Sequence, residues 1–314
     1  MKSWLHRMKV LTLICGICLV LLFVGGPGYY SPRSYQQAWD LGHILFFAIL
    51  TYLLVNQWQR LSKEPFNRQG IGIFIIALFL GVAIELLQSL IDGRTPSYGD
   101  IIRNFIGCLV ALAFFIPSRK KVPRTRLRIL QFSVVLIAVL QIFPVAKSLI
   151  DEAIAREQFP VLSDFETPFE IDRWSSRSRV SINHEIAKHG KSSLKVRLTT
   201  AQYSGIALRY FPHDWRGFDS LQFNVYNASS TPLEIVCRVH DSFHYAKGGR
   251  YDDRFNKRFT VTQGWNDIKI SLEDIAKAPK SREMDLSSIQ GFGIRVLRLP
   301  QPEVVYIDNV RLVR

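Results

Sequence analysis

The pattern of apolar and polar positions divides the chain into two unlike halves. In the first 150 residues, apolar side chains form five runs of 17 to 23 residues, separated by segments rich in glycine, proline and charge. A helix needs about 20 mostly apolar residues to cross the hydrocarbon core of a bilayer. The pattern therefore predicts five membrane-spanning helices, at residues 10–26, 41–59, 69–91, 101–118 and 129–146.

The second half follows a shorter period. After residue 160, apolar and polar residues alternate over runs of six to ten residues, with glycine, proline and asparagine between the runs. Alternation of this kind is typical of half-buried strands. The predicted strands lie at residues 193–199, 205–210, 220–227, 233–240, 257–262, 266–271, 291–296 and 304–313.

Together these patterns predict the fold class and the domains. Many short strands separated by turn residues are typical of a two-sheet sandwich of the jelly-roll type. The expected fold is an α-helical transmembrane bundle of five spans followed by an all-β jelly-roll sandwich. Residues 1–150 would form the membrane domain, residues 151–160 a linker, and residues 161–314 an exported β domain.

Charge indicates how the predicted helices are oriented. Residues 1–150 contain 16 Lys and Arg against 5 Asp and Glu, whereas residues 151–314 contain 24 against 21. The basic residues of the first half gather at the N-terminus, at 60–68 and at 119–128, and short cytoplasmic loops are enriched in such residues. We therefore expect a cytoplasmic N-terminus in the bacterial inner membrane and an exported C-terminal domain. Basic residues that punctuate apolar runs indicate contact with membrane lipid and not with nucleic acid.

Polar side chains interrupt the predicted spans near one membrane face. Helical spacing places Asp40 with His43 on one face, and Glu85 with Gln88 on another. Ionisable groups near lipid are costly and usually mark function. The candidate site consists of Asp40, His43, Glu85, Gln88, Arg94, Ser97, Asp100 and Asn104.

Three interpretations of this set remain open from the sequence. In the first, His43 or Glu85 is a general base and Arg94 binds a phosphate or carboxylate. In the second, the set is structural, with ion pairs such as Asp100–Arg103. In the third, the set binds a divalent metal, for which carboxylates and imidazole are suitable ligands, although no close pattern such as HExxH is present. The candidate ligands of this metal are Asp40, His43, Glu85 and Asp100.

The ordered polar motif resembles that of the VanZ-like membrane proteins. The residues that carry the resemblance are Asp40-x-x-His43, Glu85-x-x-Gln88, and Gly93-Arg94-x-x-Ser97-x-x-Asp100-x-x-x-Asn104-x-x-Gly107. The resemblance covers residues 35–117 and implies a small multi-span bacterial membrane protein. The family takes its name from a teicoplanin-resistance protein, and the resemblance implies no particular reaction. Leu41 stands where the family usually has a basic residue.

The second half resembles a carbohydrate-binding module of the galactose-binding-domain-like jelly-roll class. The residues that carry the resemblance are Asp164-Phe165-Glu166, His189-Gly190-Lys191-Ser192, Asp214-Trp215-Arg216-Gly217, Gly264-Trp265-Asn266 and Tyr306-Ile307-Asp308-Asn309. Such modules commonly hold a structural calcium, and the resemblance makes Glu166 and Asp308 its candidate ligands. Alternatively, these two carboxylates cap turns at strand ends.

A glycan site is predicted in the loop at 241–256. Sugar recognition needs aromatic faces for the ring and polar side chains for its hydroxyls. The stacking candidates are Phe243, Tyr245 and Tyr251, and the hydrogen-bonding candidates are His240, Asp241, Asp252 and Arg254. Core packing of the aromatic rings and a local Asp252–Arg254 ion pair are the structural alternatives.

These observations lead to two expected functions. The first is an integral envelope protein that binds a polysaccharide or lipid-linked saccharide through its β domain, with the outer-face polar cluster acting on a cell-wall or lipid-linked precursor. The second is a non-catalytic membrane scaffold whose β domain binds an envelope protein. The sequence contains no GxSxG elbow, P-loop or dinucleotide motif, so an enzymatic role of the β domain is not favoured.

Overall fold

The structure is a computed structural model that describes residues 2–28, 30–91, 97–176, 178–246 and 248–314. The chain divides into two compact units, Met1–Ser148 and Leu149–Arg314, here called the helical unit and the β unit. Each unit has its own core of buried apolar side chains.

The helical unit is built from long apolar helices. Their bounds are α1 Lys2–Phe23, α2 Arg33–Asp40, α3 Gly42–Gln57, α4 Gln59–Lys63, α5 Phe66–Gln88, α6 Tyr98–Phe114 and α7 Arg124–Gln158. Within the described residues, four helical segments are long and apolar enough to cross a membrane. These segments are Trp4–Phe23, Arg33–Gln57, Phe66–Gln88 and Arg124–Gln158.

The fourth predicted span is shorter than expected. It corresponds to α6, which has 17 residues, whereas a crossing needs about 20. The helix nevertheless packs closely against its neighbours. A Cβ at Gly107 would lie 2.4 Å from the Ile44 carbonyl oxygen, and one at Gly81 would lie 2.5 Å from Asn104 Nδ2. Because only glycine permits these approaches, α6 packs directly on α3 and α5.

The clustered basic residues at 2–9, 60–68 and 119–128 share one end of the bundle, whereas Arg103 lies in the polar cluster at the other end. The Arg7 guanidinium lies 5.9 Å from the centre of the Tyr52 ring, which joins the start of α1 to the second half of α3. The Ser118 hydroxyl donates a hydrogen bond to Gln69 Oε1 at 2.6 Å, which joins the segment after α6 to the start of α5. The basic residues beside these contacts therefore lie opposite the polar ends of α3 and α5.

The β unit contains two antiparallel sheets. The strands are β1 Val161–Ser163, β2 Trp174–Ser176, β3 Arg179–Asn183, β4 Ser193–Leu198, β5 Tyr203–Leu208, β6 Ser220–Asn227, β7 Leu233–Asp241, β8 Phe255–Val261, β9 Gly264–Ser271, β10 Ile289–Leu297 and β11 Glu303–Val313. Short helices are α8 Phe243–Ala246 and α9 Leu272–Ala276. The six-stranded sheet has the order β3-β4-β11-β6-β9 with β1 also on β11, and the five-stranded sheet has the order β2-β5-β10-β7-β8.

The core lies between the two sheets. Alternate residues such as Phe223 on β6 and Phe292 on β10 are buried, and their ring centres are 5.2 Å apart. This arrangement confirms the predicted all-β sandwich, and each predicted strand is present. Strands β1, β2 and β3 were not predicted. β1 and β2 have only three residues each, too few to show a period, whereas β3 does alternate between polar and apolar residues and was missed.

The segment expected as a linker, 151–160, is helical as far as Gln158. Its residue Asp151 is 1% exposed, and Arg173 Nε donates to both Asp151 oxygens at 3.0 and 3.1 Å. Arg173 also donates to the Leu162 carbonyl at 3.2 Å. A buried ion pair of this kind is costly to break, so the end of α7 is an integral part of the β unit.

Candidate functional site

The polar cluster of the helical unit is centred on His43. This side chain is 4% exposed, and a 2.9 Å hydrogen bond joins its Nδ1 to Asn104 Oδ1. Because the amide oxygen only accepts, Nδ1 is the donor. The other ring nitrogen, Nε2, lies 3.9 Å from Asp100 Oδ2. The start of α3 and the start of α6 thus bring an imidazole, a carboxylate and an amide together.

Arg103 links two carboxylates at the edge of this cluster. Its guanidinium lies 2.6 Å from Asp100 Oδ1 and 3.2 Å from Asp40 Oδ2. The expected Asp100–Arg103 ion pair is therefore present, and Asp40 is held by the same cation. Arg103 was absent from the predicted site, although its position one turn after Asp100 on α6 was the signal that indicated it.

The end of α5 supplies Glu85 and Gln88. Glu85 is 6% exposed, and its Oε2 accepts a hydrogen bond from the Ser97 amide at 2.8 Å. Gln88 Nε2 donates to the Leu22 carbonyl at 2.6 Å, which ties α5 to the end of α1. Arg94, the remaining member of the predicted set, lies outside the described residues.

The arrangement suits proton transfer or cation binding. His43, Glu85 and Asp100 each offer one ligand atom, and these atoms lie within 4.8 Å of one another. Neutral imidazole and carboxylates are donors for a divalent cation. Asp40, the fourth metal ligand considered from sequence, instead pairs with Arg103.

In the β unit, Glu166 and Asp308 hold two ends of one turn. Glu166 Oε1 accepts hydrogen bonds from the amides of Lys191 and Ser192, both at 2.7 Å. Asp308 Oδ2 accepts from the amides of Lys188 and His189 at 2.7 and 2.9 Å. The turn-capping role anticipated from sequence is thus present.

The second oxygen of Asp308 tests whether a calcium ion fits here. Oδ1 is buried and has no hydrogen-bond partner in the described part of the chain. Burial raises the pKa of Asp308. A buried carboxylate oxygen without a proton donor is a suitable ligand for a hard cation, so Asp308 offers one ligand atom of the kind that calcium needs.

The predicted glycan loop places its aromatic side chains on the surface. Phe243 is 51% exposed, Tyr245 50% and Tyr251 69%. Asp252 forms an ion pair with Arg250 at 2.7 Å, not with Arg254. The three rings have accessible faces and do not serve as core residues.

Asp241 lies beneath this loop and not on its surface. It is fully buried, and Arg282 binds both of its oxygens. Arg282 also donates to Asp253 Oδ1 and Oδ2 at 2.7 and 2.8 Å. One guanidinium therefore joins the two ends of the loop, a contact for which the sequence carries no local signal.

The outer face of the five-stranded sheet continues the surface of the loop. Strand pairing sets Arg238 of β7 beside Gly293 of β10, and Gly293 beside Ala207 of β5. Because Gly293 and Ala207 have small side chains or none, they form a shallow groove between larger side chains, here called the low strip. The Arg238 side chain donates to the Tyr245 hydroxyl at 3.1 Å, and the Arg254 guanidinium lies 5.1 Å from the centre of the Tyr251 ring.

The lowered pKa of His240 reflects its burial and the several positive charges that this face carries. Burial, with the nearby charges of Arg238, His244, Arg254 and Arg295, lowers the pKa of His240 to about 2. The imidazole is therefore neutral at physiological pH. Sequence reasoning missed Arg238 and Arg295, whose outward positions in alternating strands were the available signal.

Another aromatic row crosses the outer face of the six-stranded sheet. The Tyr226 ring lies 5.3 Å from that of Trp265 and 5.8 Å from that of Tyr306, both in edge-to-face geometry. Tyr306 is only 7% exposed. Because these rings cover one another, they present less free aromatic surface than Tyr251.

Comparison with known proteins finds one matching family model and several similar solved structures. Residues 10–119 match the VanZ/LLP1 family model, which confirms the resemblance of the helical half. A family 11 carbohydrate-binding module from Clostridium thermocellum, solved with a β-1,3-1,4-mixed-linked tetrasaccharide, is 18% identical. The alignment covers 49% of this chain and 94% of that module, with a TM-score of 0.37.

A second solved structure is similar over the same share of the chain. The CBM22-1 xylan-binding domain from Paenibacillus barcinonensis Xyn10C is 20% identical, and the alignment covers 49% of this chain and 94% of that domain, with a TM-score of 0.34. No curated protein matches this chain.

Proposed function

We propose that this chain is an integral membrane protein of the bacterial envelope that binds glycan through its β unit. The observation that carries the proposal is the exposure of Phe243, Tyr245 and Tyr251 in one loop. This loop adjoins the low strip at Ala207 and Gly293 on the outer face of the five-stranded sheet. Exposed rings stack on the apolar faces of sugars, and neighbouring polar groups bind hydroxyls.

A glycan array probed with the full chain in lipid nanodiscs tests this proposal. We expect binding that Tyr251→Ala weakens by about fivefold, since stacking on one ring contributes on the order of 1 kcal/mol. Trp265→Ala, on the other sheet, is the matched aromatic control and should leave binding unchanged. Loss of binding in the Trp265 variant alone would move the site to the six-stranded sheet.

The non-catalytic scaffold is the competing function. Folded protein that binds no glycan, but captures an envelope protein whose binding Tyr251→Ala abolishes, would favour the scaffold.

The helical unit is proposed to lie in the inner membrane with its basic end in the cytoplasm, because positively charged loops remain on that side. Five crossings, including the short α6, then leave the β unit outside. Reporter fusions provide the test. Green fluorescent protein fused after residue 122 should fluoresce, and alkaline phosphatase fused after Arg314 should be active. The reverse pattern would overturn the orientation.

A second candidate function is action on the head group of a lipid-linked saccharide by the polar cluster. The observation that favours it is the buried His43, whose Nδ1 is fixed by Asn104 while Nε2 lies near Asp100. An imidazole held in this way can exchange a proton with a bound hydroxyl or phosphate.

Binding of a radiolabelled polyprenyl pyrophosphate saccharide to nanodiscs tests this role. His43→Ala should abolish binding or turnover. Gln69→Ala removes a buried polar side chain at the opposite end of α5 and serves as the control. Equal effects of the two variants would indicate a structural cluster.

A structural calcium ion is also proposed for the β unit. Glu166 and Asp308 would hold it, since Asp308 Oδ1 is a buried acceptor. The ion would tie the last strand, β11, to the turn at 188–192 and thereby stabilise the sandwich.

A further inference from the structure

Three arginines far apart in sequence meet on the outer face of the five-stranded sheet. Arg238 on β7 pairs with Gly293 on β10 and with Asn256 on β8. Arg295 lies two residues after Gly293 and so shares its face. Arg254 directly precedes β8, beside the same end of β7. We call Arg238, Arg254 and Arg295 the arginine face.

Two of these arginines lack a counter-ion. Within the described residues, neither Arg238 nor Arg254 has a carboxylate within 4.0 Å, and the buried Nε of each has no hydrogen-bond partner. By contrast, Arg258 on the same face of β8 pairs with Glu234 at 2.6 Å. Both side chains are half-buried, so each guanidinium is only partly solvated, and a charge that loses solvent without gaining a partner is costly.

Within the described residues, the nearby acidic groups do not neutralise Arg238 and Arg254. Asp241 and Asp253 are both occupied by Arg282. Burial, with the charges of Arg238 and Arg295, lowers the pKa of Arg254. The guanidinium groups therefore repel one another, and an anion bound among them would relieve that repulsion.

We propose that the glycan bound by the β unit is acidic and that the arginine face binds its carboxylate, sulfate or phosphate groups. This inference rests on the proposed glycan-binding function and specifies its ligand. Planar guanidinium groups bind such anions bidentately. Tyr245 and Tyr251, which contact Arg238 and Arg254, supply the adjoining surface for the sugar ring.

A polysaccharide fits this surface better than other polyanions. Residues 151–314 carry 24 Lys and Arg against 21 Asp and Glu, so the basic character is local and not spread as in a nucleic-acid-binding domain. In a polysaccharide, the exposed aromatic rings would contact the sugar ring while the neighbouring arginines bind its acidic substituent.

The experiment measures binding of the full chain in phosphatidylcholine nanodiscs to four polymers. Polygalacturonate carries carboxylate groups and dextran sulfate carries sulfate groups, whereas dextran and mixed-linked β-glucan are neutral. We expect binding to at least one acidic polymer that weakens with rising salt, because ionic contacts are screened. Arg238→Gln and Arg254→Gln should each weaken it by about tenfold or more, since one charge-assisted hydrogen bond contributes that much. Arg258→Gln, the paired arginine, should change it by less than about twofold.

The outcomes separate this inference from the proposed function. Neutral glycan bound equally well, with no effect of Arg238→Gln, would overturn the acidic ligand and leave glycan binding intact. Failure to bind any glycan by protein that resists proteolysis would overturn both. Binding only to single-stranded DNA or to phosphatidylglycerol vesicles would also overturn the inference. Arg238→Lys keeps the charge without the planar fork, so partial binding by this variant supports ionic recognition if Arg238→Gln folds poorly.

Discussion

Replacing Arg282 by methionine is expected to destabilise the β unit by about 3–5 kcal/mol, because removing one partner of a buried ion pair leaves charge uncompensated. Arg282 donates to both oxygens of Asp253 at 2.7 and 2.8 Å and to Asp241 Oδ1 at 2.8 Å, with a further contact to Asp241 Oδ2. Asp241 is 0% exposed and Asp253 4%. Methionine fills similar volume but offers no donor, so both carboxylates would remain buried without their cation.

Urea unfolding of the full chain in nanodiscs, followed by pulse proteolysis, measures this loss. With a slope of about 2 kcal/mol per molar urea, the midpoint should fall by about 2 M. Arg216→Met is the control. Arg216 pairs with Asp214 at 2.6 Å, but the side chains are 68% and 52% exposed, so solvent replaces the ion pair and the midpoint should not change.

The pH dependence separates lost charge compensation from lost packing. In the native protein, hydrogen bonds from Arg282 lower the pKa of Asp253. Its contribution to stability is therefore present above the unfolded pKa of about 3.9 and is lost as pH falls through the lower folded pKa. Without Arg282, burial raises the pKa of Asp253, so acidification towards pH 5 should restore stability. A variant equally unstable at pH 5 and pH 7.5, or one with an unchanged midpoint, would refute this reasoning.

Two further predictions concern other contacts. Gly107→Leu should lower the thermal stability of the helical unit in detergent, because the leucine side chain would clash with the backbone of α3. Gly42→Leu is the control, since nothing lies within 4 Å of a Cβ at that position. Equal melting temperatures of the two variants would contradict the close contact between α3 and α6. Asp308→Asn should abolish a rise in the melting temperature of the β unit on adding calcium, because ligand binding to the folded state alone stabilises it. Asp214→Asn should retain that response, and an unchanged response in Asp308→Asn would contradict the calcium site.

Much of the architecture was predictable because it depends on near neighbours in sequence. Long apolar runs and two-residue alternation indicated the helices and the eight main strands, since a helix or strand buries one side of its own local pattern. The helical spacing of Asp100 and Arg103 likewise indicated their ion pair. The order of polar residues along the first half indicated its resemblance to VanZ-like proteins. Local patterns were less informative for the three-residue strands β1 and β2, which pair with β11 and β5.

The sequence by itself determined the two kinds of unit, the charge asymmetry of the helical half and the aromatic loop. Only the tertiary structure decided that Arg282 joins Asp241 to Asp253, that Asp151 anchors the end of α7, and that the charges of Arg238 and Arg295 both act on His240. The physical reason is the sequence separation of the interacting residues. Periodicity records which side of an element is buried, whereas strand register and packing decide which distant charges share that buried space.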